Sequence, residues 1–232
     1  MQLDVFTLVP HAFAWLTEQR PLASVLGTEL DLRLFSYRDT TPLRAGQVDD
    51  EPYGGGAGMV LRVDVVAAAL DAAYGGVPEH RVVALTPQGR QLTQDVVEEL
   101  AQEPQLTLLS ARFEGFDERV VQHLASDAIS IGPYVLSNGD LPAMVLVDAI
   151  ARRLPGAIRE ESGAWESFSA ELEGGLDLLR RRLGADAEGG VVVAHRTVLR
   201  LLCSRRHPSI FPWSPERRTS GTRQPRNSGG RV

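Results

Sequence analysis

Strand-prone segments alternate with helix-prone segments from residue 3 to residue 153, and this order constrains the fold more than any other feature of the sequence. Strands that are joined through helices lie parallel in one sheet, and the helices cover both of its faces. The predicted strands are residues 3–9, 30–35, 81–86, 106–110 and 128–131, and the predicted helices are residues 12–16, 63–74, 93–102, 117–125 and 141–153. We therefore predict an α/β fold with a mostly parallel sheet and helices on both faces.

Three of these strands end in loops that contain glycine or proline, at residues 86–89, 111–115 and 131–139. Ligand sites of parallel sheets lie at the carboxyl ends of the strands, and glycine lets a backbone approach a ligand closely. Each glycine taken alone is explained as well by a simple turn. Together the loops predict one pocket. The glycine run at residues 54–58 is not followed by Gly-Lys-Ser/Thr, which excludes a phosphate-binding loop of the nucleotide hydrolases, and the five histidines lack metal-ligand spacing.

The charge of the chain is divided between an acidic body and a basic tail. The net charge is -6 and all 24 cations are arginine, with about +9 from Arg180 onward and about -15 before it. Such a tail can bind phosphates, or it can be a disordered, solvated segment. The single cysteine, Cys203, suits a reducing compartment, and no apolar run approaches the roughly 20 residues of a membrane helix. We expect a cytoplasmic protein with no membrane association.

Five motifs, taken in their order along the chain, resemble those of bacterial tRNA (guanine-37-N1)-methyltransferases. They are VDDEPYGGGAGM at residues 48–59, LTPQGR at 85–90, RFEGFDERV at 112–120, SIGPYVLS at 130–137 and LPAM at 141–144. The resemblance covers about residues 1–168. It implies an α/β fold closed by a C-terminal trefoil knot of the SPOUT type, an obligate homodimer, S-adenosylmethionine as cofactor and tRNA as substrate.

The same resemblance implies roles for individual residues. The cofactor contacts that it implies are Leu85, Thr86, Pro87, Ala111, Phe113, Gly115, Ile131, Gly132, Pro133, Tyr134, Val135, Leu136, Asn138 and Gly139. On the substrate side it implies Asp49, Asp50 and Glu114. Arg152 matches the arginine that stabilises charge on guanine O6, and Glu166 stands where the family has an aspartate as the base. No metal site is implied.

The character of the sequence changes after residue 157. We predict a knotted cofactor-binding domain at residues 1–157, a linker at 158–175 and a C-terminal region at 176–232 that is mostly disordered, through divergence or a shift of reading frame. The sequence thus predicts a methyltransferase acting on N1 of the guanine 3′ of the anticodon. One alternative is a non-catalytic dimeric protein that binds S-adenosylmethionine and RNA without a C-terminal tRNA-binding domain. Another is a related knotted methyltransferase that acts on a different RNA.

Overall fold

Five strands form a sheet in which every neighbouring pair is parallel, as a computed structural model covering residues 1–52 and 55–159 shows. The strands of the fold are β1 (Gln2–Thr7), β2 (Asp31–Ser36), β3 (Asp49–Asp50), β4 (Val60–Leu61), β5 (Arg81–Gln91), β6 (Gln105–Ser110) and β7 (Asp127–Ser130). The order in the sheet is β2-β1-β6-β5-β7, while β3 and β4 form a separate antiparallel pair. The prediction of a mostly parallel sheet is confirmed.

Helices pack against both faces of the sheet. They are α1 (Ala14–Glu18), α2 (Leu22–Val25), α3 (Tyr37–Thr40), α4 (Val63–Tyr74), α5 (Gln94–Ala101), α6 (Glu118–His123) and α7 (Asp140–Ala151). Successive residues of a strand point to opposite faces, so Val5 packs with α1, α2, α5 and α7, whereas Phe6 packs with α3, α4 and α6. Among the described residues, no helix is long and apolar enough to cross a membrane.

Strand β5 differs from its prediction, because it does not stop at Pro87. Its first part pairs with β7 up to Leu85↔Ile129, and after a bulge of four residues it pairs again at Arg90↔Ile129 and Gln91↔Ser130. One edge of a strand accepts one partner at each level, so the two parts of β5 flank β7 on its two edges. The backbones approach closely there, since a Cβ placed on Gly89 would lie less than 3.0 Å from the backbone of Ala128 and Ile129.

The region predicted as a long loop at residues 38–58 contains short elements. Helix α3 begins at Tyr37 and a 3-10 turn spans Arg44–Gly46, and β3 then pairs with β4. Strand β4 also contacts the loop that follows β6, where the amide of Leu61 donates to the Gly115 carbonyl at 2.9 Å. The segment before α4 is thereby attached to the carboxyl edge of the main sheet. Tyr53 and Gly54 lie outside the described residues.

A buried carboxylate, Asp4, ties together the amino-terminal ends of three strands. The guanidinium of Arg33 in β2 donates to both of its oxygens at 2.7 and 2.6 Å, and the Tyr74 hydroxyl donates at 2.6 Å. Gln2 and Gln105 donate to the same carboxylate. Burial alone would raise the pKa of Asp4, but the hydrogen bonds from Arg33, Tyr74 and Gln2 outweigh it and lower the pKa below 3.8.

Candidate functional site

A pocket opens at the carboxyl edge of the sheet, where β5, β6 and β7 end. The empty space between its walls, including solvent at its open mouth, is about 630 Å³. The residues that line it are Leu85, Thr86, Pro87, Ala111, Arg112, Phe113, Glu114, Gly115, Ile129, Ser130, Ile131, Gly132, Tyr134, Val135, Leu136, Asn138, Gly139 and Pro142. The three glycine- and proline-bearing loops therefore meet in one pocket, as parallel strands predict.

Most of the predicted site residues are brought together by this arrangement, and a few are not. All predicted cofactor contacts except Pro133 line the pocket, as does Glu114. Asp49 and Asp50 lie outside the lining, in the short β3–β4 pair. Arg152 caps the carboxyl end of α7, and Glu166 is outside the described residues. Among the described residues, the lining thus contains the predicted cofactor contacts other than Pro133, and it does not contain Arg152.

The loop after β6 is a tight turn with unusual backbone geometry. Its closing hydrogen bond runs from the Gly115 amide to the Arg112 carbonyl at 3.1 Å, and Phe113 adopts a φ of 62°, which non-glycine residues seldom do. Backbone outliers of this kind cluster at ligand sites, where surrounding structure holds them. The Glu114 amide donates to the Met59 carbonyl at 2.9 Å, so the segment before β4 supports the turn.

Glu114 also depends on Gly58 for its position. The Glu114 side chain lies so close to Gly58 that a Cβ there would come within 3.0 Å of its carboxyl carbon. Gly58 has a φ of 87°, which favours glycine as well. This contact explains physically why the glycine-rich segment at residues 55–58 accompanies the turn at residues 112–115.

The loop after β7 is shaped by a serine and a tyrosine. The Ser130 hydroxyl donates to the Gly132 carbonyl at 2.9 Å and accepts from its amide at 3.3 Å. The Tyr134 ring folds back over Gly132, and its hydroxyl donates to the Ile131 carbonyl at 3.3 Å. A Cβ on Gly132 would collide with that ring. The small residue therefore makes room for the aromatic wall of the pocket.

Beneath the pocket, a buried carboxylate joins three elements. Asp140, in the first turn of α7, accepts hydrogen bonds from the hydroxyls of Thr7 and Ser110, each at 2.6 Å. Just before it, the Gly139 amide donates to the Ala111 carbonyl at 2.7 Å. Burial raises the pKa of the Tyr37 phenol, and the Asp140 carboxylate nearby raises it further. The ends of β1, β6 and the loop before α7 are therefore fixed to one another.

Arg152 and the pocket lie at opposite ends of α7. The helix spans twelve residues from Asp140 to Ala151, and at a rise of 1.5 Å per residue its ends are about 18 Å apart. Asp50 also lies outside the lining. Its carboxylate is paired with Arg62, which also forms a bidentate pair with Asp64. Hydrogen bonding to Asp64, together with the charges of both carboxylates, raises the pKa of Arg62.

Four lining residues were not predicted from the sequence: Arg112, Ile129, Ser130 and Pro142. Nothing in the sequence indicated that Ile129 and Pro142 line a pocket, because they look like ordinary core and helix-start residues. Ser130 could have been predicted, since a serine two residues before a glycine can close a turn with its hydroxyl. Arg112 stood beside predicted contacts, but an arginine in a loop usually indicates only a solvated surface.

Comparison with known proteins places this pocket in a family context. The family model described as tRNA (Guanine-1)-methyltransferase TrmD matches residues 1–227. The match extends beyond residues 1–168, the part for which the motifs predicted similarity. It therefore includes most of the region at residues 176–232 that was expected to diverge from the family.

Individual relatives agree with the family model. The chain is 43% identical over 216 residues to a tRNA (guanine-N(1)-)-methyltransferase of Geobacillus kaustophilus, covering 92% of this chain and 84% of that one. It is 37% identical over 222 residues to the protein of the same name from Macrococcus caseolyticus, covering 96% and 88%. The crystal structure of a tRNA (m1G37) methyltransferase from Aquifex aeolicus matches with a TM-score of 0.60 and 31% identity, over 69% of this chain and 72% of that one.

Proposed function

Because this chain belongs to the tRNA (guanine-1)-methyltransferase family, we propose that it transfers a methyl group from S-adenosylmethionine to N1 of guanine 37 of tRNA. The observation that carries the proposal is the pocket itself. Three loops that hold family motifs, distant in sequence, meet at the carboxyl edge of β5, β6 and β7 and form one open pocket.

The residues of the pocket fit the proposed cofactor. Leu85, Ile131 and Leu136 offer apolar surface for the adenine ring, and the loop backbones around Gly115 and Gly132 offer amides and carbonyls to its polar edge. Apart from Pro133, the predicted cofactor contacts would hold S-adenosylmethionine at this position. When bound, the cofactor supplies a methyl group on a sulfonium that leaves as a neutral thioether.

The chemistry at guanine needs a base and a cation from the protein. Glu166 is the proposed base, which would accept the N1 proton while N1 attacks the methyl carbon, and Arg152 would stabilise the charge that develops on O6. Arg152 stands about 18 Å along α7 from the pocket of its own chain. The proposal therefore requires a second copy of the chain, with the guanine bound between Arg152 of one protomer and the pocket of its partner.

The surface around the pocket suits such a dimer. Tyr134 and Val135 are 52% and 84% exposed at the mouth, and Leu141 and Val145 are exposed on α7. Large apolar side chains grouped on a surface are typical of an interface between proteins. We propose that these four residues contact the second copy, which brings the pocket of one protomer close to Arg152 at the carboxyl end of α7 in the other.

Mixing two inactive variants tests whether Arg152 of one protomer acts at the pocket of its partner. Arg152→Ala retains a sound pocket, and Gly132→Trp retains Arg152 but blocks the pocket. Random exchange of subunits would restore roughly a quarter of the parent activity, since only mixed dimers contain one complete site. Mixtures that stay as inactive as the separate variants would place Arg152 and the pocket in the same chain.

Glu114, Asp49 and Asp50 are proposed to act on the substrate side. Glu114 lines the pocket mouth beside Gly58, where its carboxylate can accept hydrogen bonds from the guanine edge. Asp49 and Asp50 belong to the segment whose end at Met59 supports the Glu114 turn. Their contribution would be to hold that segment over the tRNA nucleotide.

We also propose that the chain is knotted. Strand β7 lies between the two parts of β5, enclosed by the bulge at residues 86–89. From β7 the chain returns across the end of β6, where Gly139 bonds to Ala111, and continues into α7 beneath the sheet. This course supports the threading of the C-terminal segment through a loop. Residues 1–157 would be the knotted domain, and the proposed linker and C-terminal region at 158–175 and 176–232 lie almost wholly outside the described residues.

We propose that the C-terminal region contacts the tRNA, and that the protein acts in the cytoplasm. The arginines after Arg180 would contribute phosphate contacts, whose strength falls steeply with salt. The alternative of a non-catalytic binding protein rested on the loss of the C-terminal domain. The family match to residue 227 favours the catalytic protein instead.

A methyl-transfer assay with two matched substrates tests the proposed function. One tRNA transcript carries guanine at position 37 and the other carries adenine there, and the nucleosides are analysed by mass spectrometry after digestion. We expect 1-methylguanosine from the first transcript alone. Transfer to neither transcript under single-turnover conditions would contradict the proposed activity.

A further inference from the structure

Among the residues that the structure describes, the pocket lining contains two charged side chains, Arg112 and Glu114, separated by a single residue. They do not pair with each other within 4.0 Å. In the part of the chain that the structure describes, the Arg112 guanidinium forms no hydrogen bond or ion pair, although its side chain is half-buried. A cation held at a pocket wall without a protein partner is a candidate ligand contact.

The turn that carries Arg112 accounts for this separation. Glu114 extends toward Gly58, on the side of the turn that contacts Met59. The Arg112 carbonyl accepts the hydrogen bond that closes the turn, so its backbone is already ordered before any ligand binds. A pre-ordered side-chain anchor loses less conformational entropy when it binds an anion.

Two neighbouring arginines, unlike Arg112, are paired with carboxylates. Arg62 pairs with Asp50 and Asp64, and Arg119 forms a bidentate pair with Asp117. Arg112 is therefore the cation that remains available at this edge, among the residues that line the pocket. Its planar guanidinium presents parallel N–H groups that match a carboxylate.

We propose that Arg112 binds the α-carboxylate of S-adenosylmethionine. The inference rests on the proposed function, since it takes that cofactor as the ligand of the pocket. Adenine and ribose are neutral, and the sulfonium and the amino group are positive, so the carboxylate is the one anionic group of the cofactor. One cation in the lining thus meets one anion on the ligand. Arg112 acts here as a binding residue that fixes the direction of the methionine arm.

A phosphate of the tRNA is the competing anion for Arg112. Phosphates surround the guanine at the pocket mouth, and arginine pairs with phosphate as readily as with carboxylate. The placement of Arg112 in the lining between Ala111 and Phe113, both predicted cofactor contacts, favours the carboxylate. Measurements without RNA separate the two cases.

The first experiment changes the ligand and leaves the protein intact. Calorimetric titration compares S-adenosylmethionine with its decarboxylated analogue, which keeps the sulfonium, the amine and the adenosine. We expect the parent protein to bind the analogue roughly 10- to 100-fold more weakly, the usual range for a charge-assisted hydrogen bond. Equal affinities would overturn the inference. Absence of any S-adenosylmethionine binding would overturn the proposed function as well. This outcome differs from equal affinities for the two ligands, which would overturn only the role of Arg112.

The second experiment changes the protein. Arg112→Gln is expected to bind S-adenosylmethionine roughly 10- to 100-fold more weakly and to lose the preference over the decarboxylated analogue. Arg112→Lys should fall between the two, because it keeps the charge and loses the fork. Arg119→Gln is the matched control, a nearby arginine outside the lining, and should bind as the parent does.

The pattern of results decides between carboxylate and phosphate. If Arg112→Gln binds the cofactor and discriminates the analogue like the parent, the inference is wrong. The same conclusion follows if the variant loses only tRNA affinity, with a shallower dependence on salt. Loss of cofactor affinity with retained preference for the carboxylate would also contradict the inference, since another group would then bind that carboxylate.

Discussion

The Thr7 hydroxyl donates a 2.6 Å hydrogen bond to the Asp140 carboxylate, which joins the end of β1 to the start of α7 across 133 residues of chain. Ser110 donates to the same oxygen from the end of β6. All three residues are buried. The carboxylate therefore connects the first strand of the fold with the helix that begins at the pocket floor.

Replacing Asp140 with alanine should destabilise the protein and weaken the pocket together. The substitution leaves two buried hydroxyls without their acceptor, which we expect to lower the free energy of unfolding by about 2–4 kcal/mol. Cofactor affinity should fall as well, because Asp140 joins the end of β6 to the start of α7, next to Ala111 and Gly139 in the lining. Urea unfolding and calorimetry measure the two effects. Asp95→Ala is the control, an exposed aspartate in the first turn of α5, and should cost less than about 1 kcal/mol.

Replacing Gly89 with alanine should disrupt the passage of β7 between the two parts of β5. The added methyl would meet backbone atoms of Ala128 and Ile129, which cannot move aside as a side chain can. We expect a loss of about 3 kcal/mol or more in the free energy of unfolding. Gly27→Ala, where space is open and the φ of 76° is the only obstacle, should cost about 1–2 kcal/mol. Similar losses in the two variants would show that the close approach has no special energetic importance.

The contact between Gly132 and Tyr134 predicts a non-additive pair of substitutions. Gly132→Ala should displace the Tyr134 ring from the pocket wall and reduce cofactor affinity, and Tyr134→Ala should reduce it as well. In the double variant the ring is no longer present to be displaced, so the combined loss should be smaller than the sum of the two. Calorimetric titration of the three variants gives the coupling. Strict additivity would mean that Gly132 acts independently of the ring.

Asp4 should determine part of the acid stability. The pKa of Asp4 in the folded protein is below 3.8, the ordinary value for an aspartate. The stabilisation of the folded state by ionised Asp4 is therefore complete above pH 3.8, and it is lost as the pH falls through the lowered pKa. Asp4→Asn should lower the free energy of unfolding by about 1–3 kcal/mol at pH 7, and should flatten its decline below about pH 4. Urea unfolding at several pH values tests both parts. Asp71 is an exposed aspartate on α4 and serves as the control. Asp71→Asn should leave the decline of the free energy of unfolding below about pH 4 as it is in the parent.

Local patterns predicted the regular elements well, and long-range pairing accounts for what they missed. Helix α4 has the predicted bounds, because an apolar stripe and a glycine at its carboxyl end define it locally. The end of β5 was mispredicted at Pro87, since the return to pairing at Arg90 depends on β7, about forty residues later. Pro133 is one of the cofactor contacts that the family resemblance implied, but it lies outside the lining.

The sequence predicted which loops form the candidate site, but it did not predict how the charged side chains of those loops are oriented. Glycine and proline at strand ends indicated where the backbones would meet. Nothing in the sequence showed that Glu114 would turn toward Gly58 and leave Arg112 alone at the wall, because that depends on contacts between residues far apart in sequence. The distance between Arg152 and the pocket was hidden for the same reason. A helix of known length separates them, but only the packing of α7 shows which end faces the pocket.

The position of β7 between the two parts of β5 also affects how the chain responds to tension. In the proposed knotted chain, β7 cannot leave sideways when the two termini are pulled apart, so the chain would tighten around the bulge at residues 86–89. The fully extended molecule would then be shorter than about 3.6 Å for each residue, the limit for an open chain. The missing length would be the contour held inside the tightened loop.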